Sequence, residues 1–414
     1  MLILWNMLLT LLWPLLCFYR PFRGTLRKRL GHFDHGAYKP QHRGLNVLIN
    51  AVSAGEVNAI APFIRQLRTL RPDAQVALLT TTDSGIEMAR AKLDGLVELV
   101  TFFPLVDLPF ASRRFLDKLR PDIYITTEAE LWPNMQTICR QRGIRSALVN
   151  GRIYMHNKAG WRGMLVRKLL LLLDLIVCQD ERQHENFVQI GVPVDRLAVS
   201  GNIKFDFELP VWTAEQLSEW RTKLGVSSDH PLVVAGSTHD GEEAIVLHAF
   251  EAFPGVKVVI APRHVDRMQE VKVLCMQHGL RVQALSAQEA AQDWDVLIVD
   301  RYGVLVDFYR IADVVVMGGT FHPKVGGHNI LEATALGKPV IVGPHTYGIT
   351  AQVEMLDAVS AIAHAADALV LADQITELLR DTARAQSMGR AARDATEANR
   401  GAARRAAELI LRLL

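Results

Sequence analysis

From Asn46 onward, short apolar runs alternate with amphipathic stretches of helical period, and the alternation comes in two series. The first has strand candidates at Val47–Ala51, Val76–Thr80, Ile123–Thr126, Ala147–Val149 and Leu175–Val177, with helical patterns such as Ile60–Leu70 and Glu181–Gln189 between them. After a break near Asp206–Trp220 that carries Pro210, the second follows at Leu232–Ala235, Val256–Ala261, Val296–Val299, Val314–Met317 and Pro339–Val342. Such alternation predicts parallel sheets with helices on both faces. The expected fold is α/β, with two Rossmann-like, doubly wound domains facing across a cleft lined by strand carboxyl ends. The expected boundaries are residues 1–30 for an amino-terminal anchor and basic collar, 31–208 for the first domain and 209–414 for the second. A chain of 414 residues can build two ordinary cores, and its 50% hydrophobic and 22% charged composition suits a globular protein.

The chain ends carry their own signals. Met1 to Tyr19 is almost wholly apolar, interrupted only by Asn6, Thr10 and Pro14, and is followed by Arg20, Arg23, Arg27, Lys28 and Arg29. Its length just spans a bilayer core of about 30 Å. Positive charge after the span predicts that the bulk of the chain is cytoplasmic. A cleaved signal would need a basic stretch before the run and a small-residue cleavage site after it, and neither is present. Pro14 leaves open whether the segment spans the membrane or lies in the interface. Arg380 to Leu414 is Ala/Arg-rich and helical, read either as a solvated surface helix or as a basic face against anionic lipid. No interleaved aromatics accompany its arginines, which argues against nucleic acid. Cys17, Cys139, Cys178 and Cys275 are far apart with no C-x-x-C pair, the pattern of isolated reduced thiols rather than a disulfide framework or a zinc site.

In the first half, Ser53-Ala54-Gly55-Glu56 sits between a strand and a helix. Ser-x-x-Glu there is either a capping box or a carboxylate presented to take a proton from a hydroxyl, with Gly55 opening the backbone to a ligand. Glu128-Ala129-Glu130-Leu131-Trp132-Pro133-Asn134 also follows a strand. Its two carboxylates suit acid–base work or sugar binding, while Pro133 and Trp132 equally suit a helix start packed on the core. Arg152, in Asn150-Gly151-Arg152, can grip a phosphate or carboxylate through its planar fork, or make a surface salt bridge.

In the second half, Gly236-Ser237-Thr238-His239-Asp240-Gly241-Glu242 follows a strand and opens a helix, the arrangement of an anion site but without a Walker frame. Pro262-Arg263-His264 brings a guanidinium to the next strand end, as a phosphate contact or a plain turn. The strongest signal is Gly318-Gly319-Thr320 with Gly326-Gly327-His328-Asn329-Ile330-Leu331-Glu332. Its glycines admit a phosphate close to the backbone, the following helix adds its dipole, and Glu332 can accept from ribose hydroxyls. Asn329 with Glu332 also reads as a cap pair. His239, His264, His328 and His345 lie near strand ends, but their spacing gives no metal signature.

With these motifs in order, the chain resembles the 3-deoxy-D-manno-octulosonic acid (Kdo) transferases of lipopolysaccharide synthesis. The resemblance runs from the membrane segment to near the end, through S-x-G-E (Ser53 to Glu56), E-x-E-L-W-P-N (Glu128 to Asn134), N-x-R (Asn150 to Arg152) and G-N-x-K-F-D (Gly201 to Asp206). It continues through G-S-T-H-x-G-E (Gly236 to Glu242), P-R-H (Pro262 to His264), G-G-H-N-x-L-E (Gly326 to Glu332) and G-P-H-T (Gly343 to Thr346). It implies a GT-B fold, an inner-membrane location on the cytoplasmic face, CMP-Kdo as donor and a lipid A precursor as acceptor, with no cofactor or metal. It implies Glu56 as general base and Glu128 beside the acceptor or the transferred sugar. Ser53, Gly55, Glu130, Arg152 and Lys204 would surround the acceptor and sugar. Ser237, Arg263, His264, Gly303, Gly327, Asn329 and Glu332 would hold the nucleotide sugar. The chain departs from the family pattern at Asn50 (usually His), Tyr154 (usually Ser), Val304 (usually Glu) and Tyr347-Gly348 (usually Asn-Phe). The reaction implied is direct displacement with inversion. The competing readings are a diverged paralogue or UDP-sugar transferase of the same fold, and a non-catalytic membrane-bound binding protein.

Overall fold

All five residues of the strand Asn46–Asn50 (β1) are buried, so both of its faces must be covered, and a strand apolar on both faces belongs inside a parallel sheet. The structure is a computed structural model that describes residues 6, 9, 11, 24–34, 36–41, 44–153, 160–227, 230–251, 253, 255–287 and 293–414. Its chain divides into two compact units, residues 1–207 with 399–414, and residues 208–398.

In the first unit, β1 is joined by Gln75–Thr80 (β2), Leu99–Phe102 (β3), Ile123–Thr127 (β4), Arg145–Gly151 (β5), Leu175–Cys178 (β6) and Leu197–Val199 (β7). They form one parallel sheet in the order β3-β2-β1-β4-β5-β6-β7. Val47 pairs with Val76 on one side and Ile123 on the other, so the strand order reverses at β1 and β4. Alternate residues serve opposite faces. Val47 and Ile49 meet Ile60, Phe63, Ile64 and Leu67 of helix Ala54–Leu70, while Leu48 meets Tyr124, Met135 and Ile138.

The second unit repeats the plan with Leu232–Thr238 (β8), Lys257–Pro262 (β9), Val282–Ala284 (β10), Val296–Ile298 (β11), Val314–Met317 (β12), Val340–Val342 (β13) and Ala363–His364 (β14). The order is β10-β11-β9-β8-β12-β13-β14, again parallel, with the reversal between β8 and β12. Val233, Ala235, Ile260, Val314 and Val316 pack with Val246 and Leu247 of helix Glu242–Phe250 and with Leu371 and Ile375 of helix Ala368–Arg380. The strands expected from sequence are all present, most within a residue or two, while Leu232–Ala235 runs three residues further, to Thr238. The unforeseen ones, β3, β7, β10 and β14, have two to four residues each, too short for a periodicity to register.

Two features of the chain ends differ from expectation. Residues 399–414 belong to the first unit, not to a second domain ending at 414. The Arg380–Leu414 stretch is also not one helix: Thr382–Ala398 ends before Gly401, which has φ +83°, and Ala402–Leu413 follows. The last helix buries Ala402, Ala403, Ala406, Ala407 and Ile410 in the first unit's core, because a stripe of alanines lets it lie close against helix Ala54–Leu70. Two of its region's arginines are tied inward, Arg405 donating to Ser200 O at 2.7 Å and Arg400 to Phe207 O at 2.9 Å. At the other end, Arg29 of the basic collar is buried, with Nη2 donating to Thr81 O and the guanidinium 4.4 Å over the Phe102 ring. Most of the apolar run, Cys17 and Tyr154 lie outside the described residues, among which no helix is long and apolar enough to cross a membrane. Of the run's described residues, Asn6 accepts a hydrogen bond from Asn134 Nδ2 at 2.7 Å, and Leu9 packs on Leu105, Leu108 and Ala111.

The Asp206 carboxylate accepts from the N–H groups of both Gly401 and Ala403, capping the last helix. Asp206→Ala is expected to cost about 1 kcal/mol of stability, read as a lower midpoint in urea denaturation with an unchanged slope.

Candidate active site

At the reversal point of the first unit, the carboxyl ends of β1 and β4 present two glutamates. Ser53 is the N-cap of helix Ala54–Leu70, its hydroxyl accepting the Glu56 N–H at 3.4 Å. The reciprocal half of a capping box, Glu56 to the Ser53 N–H, is not made. Instead Glu56 Oε2 accepts from Val52 N–H and from the Thr127 hydroxyl, each at 2.9 Å. Thr127 is the last residue of β4, so the carboxylate is fastened across the reversal point to a second strand. Its other oxygen, Oε1, has no hydrogen-bond partner among the described residues. Burial raises the Glu56 pKa, the Val52 and Thr127 hydrogen bonds oppose that, and the charges of Glu128 and Lys204 push in opposite directions. Gly55, beside it, is exposed and has open space where a Cβ would stand except for Ser53 Oγ at 3.8 Å.

Glu128 is the next residue after β4, with φ +54°, a left-handed conformation that a non-glycine residue adopts at a cost. The surroundings hold it there. Glu128 N–H donates to Val149 O and Arg152 N–H to Glu128 O. The carboxylate is nearly enclosed, with Arg152 Nη2 2.6 Å from Oε2 and Lys204 Nζ 2.6 Å from Oε1. Arg152 therefore makes an ion pair, though with a site carboxylate rather than a surface group. Glu130, two residues on, is half-buried, and burial together with the negative charges of Glu56 and Glu128 raises its carboxyl to about 7. Pro133 does open a helix, Pro133–Gln141, and Trp132 packs against Phe103 with ring centroids 4.3 Å apart, so the second half of that motif is structural. Asn50, at the end of β1, is fully buried, and neither side-chain polar atom has a hydrogen-bond partner among the described residues.

In the second unit, the loops after β8 and β12 meet at its reversal point. Ser237 has φ +59°, and the space beside Gly318 is filled by the Ser237 carbonyl, 2.3 Å from where a Cβ would be. Only glycine permits that approach. The anion site expected at the start of helix Glu242–Phe250 is partly filled from within. Glu242, 2% exposed, accepts from His239 N–H and Gly319 N–H through Oε2 and from Phe321 N–H through Oε1, at 2.7–2.8 Å. Two donors from the expected ligand loops, His239 and Gly319, thus belong to a buried carboxylate together with Phe321. Gly327, φ +99°, packs on Ile349, and its N–H donates to Gly319 O. The helix after this loop, Leu331–Ala335, has only five residues, so it contributes little dipole. Asn329 Oδ1 accepts from Leu331 N–H at 3.2 Å, as a local cap. Glu332 is half-buried in the first turn, close enough for its charge to act on the buried Tyr309 hydroxyl.

Arg263 and His264, at the end of β9, are exposed, as is Gly303, whose φ of +87° fits its tight turn. His239, His264, His322 and His328 come together here; His345, which sequence proximity had grouped with them, is instead fixed through its N–H to Thr320 O. Among the described residues, no set of three or more His, Cys, Asp or Glu side chains is arranged to hold a metal ion. Sequence reasoning missed Thr127, which carried no motif of its own, and the internal role of Glu242, which looked like part of a ligand loop.

Two parallel doubly wound units, one with a carboxylate pair and the other with a glycine-rich loop at its reversal point, make a GT-B-like architecture. Residues 24–207 match the family described as 3-deoxy-D-manno-octulosonic-acid transferase (kdotransferase), and residues 287–395 match glycosyl transferases group 1. The 3-deoxy-D-manno-octulosonic acid transferase of Bordetella pertussis is 33% identical over 384 residues, 89% of this chain and 88% of the relative. That of Chlamydia trachomatis serovar A is 31% identical over 352 residues, 84% of this chain and 81% of the relative. A glycosyltransferase structure from Rickettsia africae superposes with a TM-score of 0.63 at 15% identity, covering 90% of this chain and 98% of that one, a likeness of fold. The chain belongs to the family of 3-deoxy-D-manno-octulosonic acid transferases.

Glu242→Gln keeps the shape but halves the acceptor capacity for three buried N–H groups. It is expected to destabilise the protein by about 2 kcal/mol, measured by chemical denaturation.

Proposed function

We propose that this chain transfers Kdo from CMP-Kdo to a lipid A precursor at the cytoplasmic face of the inner membrane, with Glu56 as general base. Membership of the family supports the transferred sugar. The observation that carries the base assignment is the Glu56 carboxylate itself, with one oxygen held by Val52 and Thr127 and the other free of partners among the described residues. A base needs a fixed orientation and one available lone pair, and this arrangement supplies both.

In this reading the acceptor hydroxyl gives its proton to Glu56 as its oxygen attacks the anomeric carbon, and the configuration there inverts. The departing phosphate needs no general acid, because a nucleotide phosphate is a good leaving group. Arg263 and the Ser237 hydroxyl meet its charge; neither side chain has a hydrogen-bond partner among the described residues. Glu332 accepts from the ribose, and Arg152 and Lys204, held on Glu128, form the cationic side of the acceptor site. The apolar run Met1 to Tyr19 anchors the chain, and the exposed Arg27 and Lys28 lie on the cytoplasmic side.

Glu56→Gln is expected to lower CMP release from CMP-Kdo by about 10²–10⁴-fold with an unchanged circular dichroism spectrum; undiminished turnover removes Glu56 from the chemistry. Since the base acts ionised and burial raises its pKa, activity should climb with pH along a limb displaced above the ordinary carboxylate range. Lys204 holds that limb down. Lys204→Met is therefore expected to move it to higher pH in a kcat/KM profile.

A further inference from the structure

Four histidines converge where the strand order of the second unit reverses. His239 follows β8, His264 follows β9, and His322 and His328 belong to the loop after β12. The His239 and His328 rings are nearly parallel, 7° apart, with centroids separated by 5.0 Å and Nε2 atoms by 2.7 Å. So short a contact between ring nitrogens requires one proton between them, since two N–H groups would collide and two lone pairs would repel. One ring therefore donates and the other accepts, and burial of both favours the neutral form of the pair. Neither Nδ1 has a hydrogen-bond partner among the described residues. On the donor ring that atom carries a lone pair able to take a second proton, which would turn the link into a charge-assisted N–H⁺···N bond.

The groups facing the pair are largely cationic or able to become so. His264 and His322 lie 5.7 and 5.8 Å from His239, ring centre to ring centre, and Arg263 acts on both members. Among the described residues Glu242 opposes them on His239, and it is already engaged by three backbone N–H groups. Burial first, then His239, Arg263 and His264, lower His328 to about 4, and burial also lowers His239. Among the described residues Arg263 has no ion-pair partner. The surroundings of the His239–His328 pair thus disfavour a charge on it, and a doubly charged phosphate beside Arg263 would reverse that balance.

We propose that the His239–His328 pair takes up one proton when a phosphate monoester occupies this loop, and returns it to solvent when the nucleotide leaves. This rests on the donor-site reading above. In the transfer, the bond from the anomeric carbon to the phosphate oxygen breaks and its electron pair stays on the phosphate. The bond from the acceptor oxygen to that carbon forms, and the acceptor's proton goes to Glu56. The nucleotide phosphate changes from a diester with one negative charge to a monoester with two. The proton drawn from solvent by the histidine pair offsets the added charge.

The test is calorimetric titration of the full chain with CMP near neutral pH, in buffers of different ionisation enthalpy, with cytidine as the phosphate-free control. A phosphate monoester, with a second pKa of about 6, is then mostly doubly charged. After correction for that ionisation, wild type is expected to take up more than about half a proton per CMP, and its affinity to fall by up to about tenfold per pH unit. Cytidine should take up none, and His328→Gln and His239→Gln should bring uptake with CMP close to zero. The ¹⁵N resonances of the wild-type histidines read the same proton without any substitution, moving toward imidazolium values as CMP binds. CMP binding without proton uptake, or uptake preserved in both variants, overturns the role of the pair and leaves the donor site standing. Absence of CMP binding by folded wild type overturns the donor-site reading itself.

Discussion

The clamp on Glu128 is the interaction around which the first unit's site is organised. A carboxylate only 7% exposed cannot stay charged without partners, because desolvation costs more than any single contact returns. Arg152 and Lys204 supply them from two other segments, the end of β5 and the turn at Ile203–Phe205. Three pieces of chain distant in sequence are thereby fixed at one strand-order reversal, and the strained φ of Glu128 persists because those pieces over-determine it. Burial is the main cause of the raised Glu56 pKa, and the clamp adds two smaller opposing effects, Glu128 raising it and Lys204 lowering it.

The second unit uses a buried carboxylate differently. Among the described residues Glu242 has no cation as partner; its carboxylate is shared by three backbone N–H groups from two loops. That makes it a rivet between the loop after β8 and the glycine-rich loop after β12. The rivet holds His239 and Gly319 in place, and the close passage of Gly318 past the Ser237 carbonyl follows from the same fastening. Donors committed to the fold cannot also bind a ligand, so the proposed anion recognition rests on side chains such as Arg263 and the histidines around it.

Much of the architecture was legible in advance because both sheets are parallel and buried on two faces, so that their strands read as unbroken apolar runs such as Val314–Met317. Edge strands such as Ala363–His364 were not, since two residues carry no period. The candidate residues Glu56, Glu128, Arg152 and Lys204 were legible as motifs, but their pairing was not. Nothing in the spacing of Glu128, Arg152 and Lys204 says that one carboxylate will hold both cations. The same limit applied to the histidines, where nearness to strand ends suggested His345 and the fold supplied His322.

The sequence by itself determined the class of fold and the local chemistry, because hydrophobic period, turn residues and short motifs act over a few residues each. Only the tertiary structure decided which groups share a charge, which N–H donors are already spent, and where the last helix goes. Those outcomes depend on contacts between segments far apart in the chain: Thr127 on Glu56, Glu242 on Phe321, and the alanine stripe of Ala402–Leu413 on the helix that begins at Ala54. Burial sets the energy of each such contact, and burial does not exist until the sheet has closed.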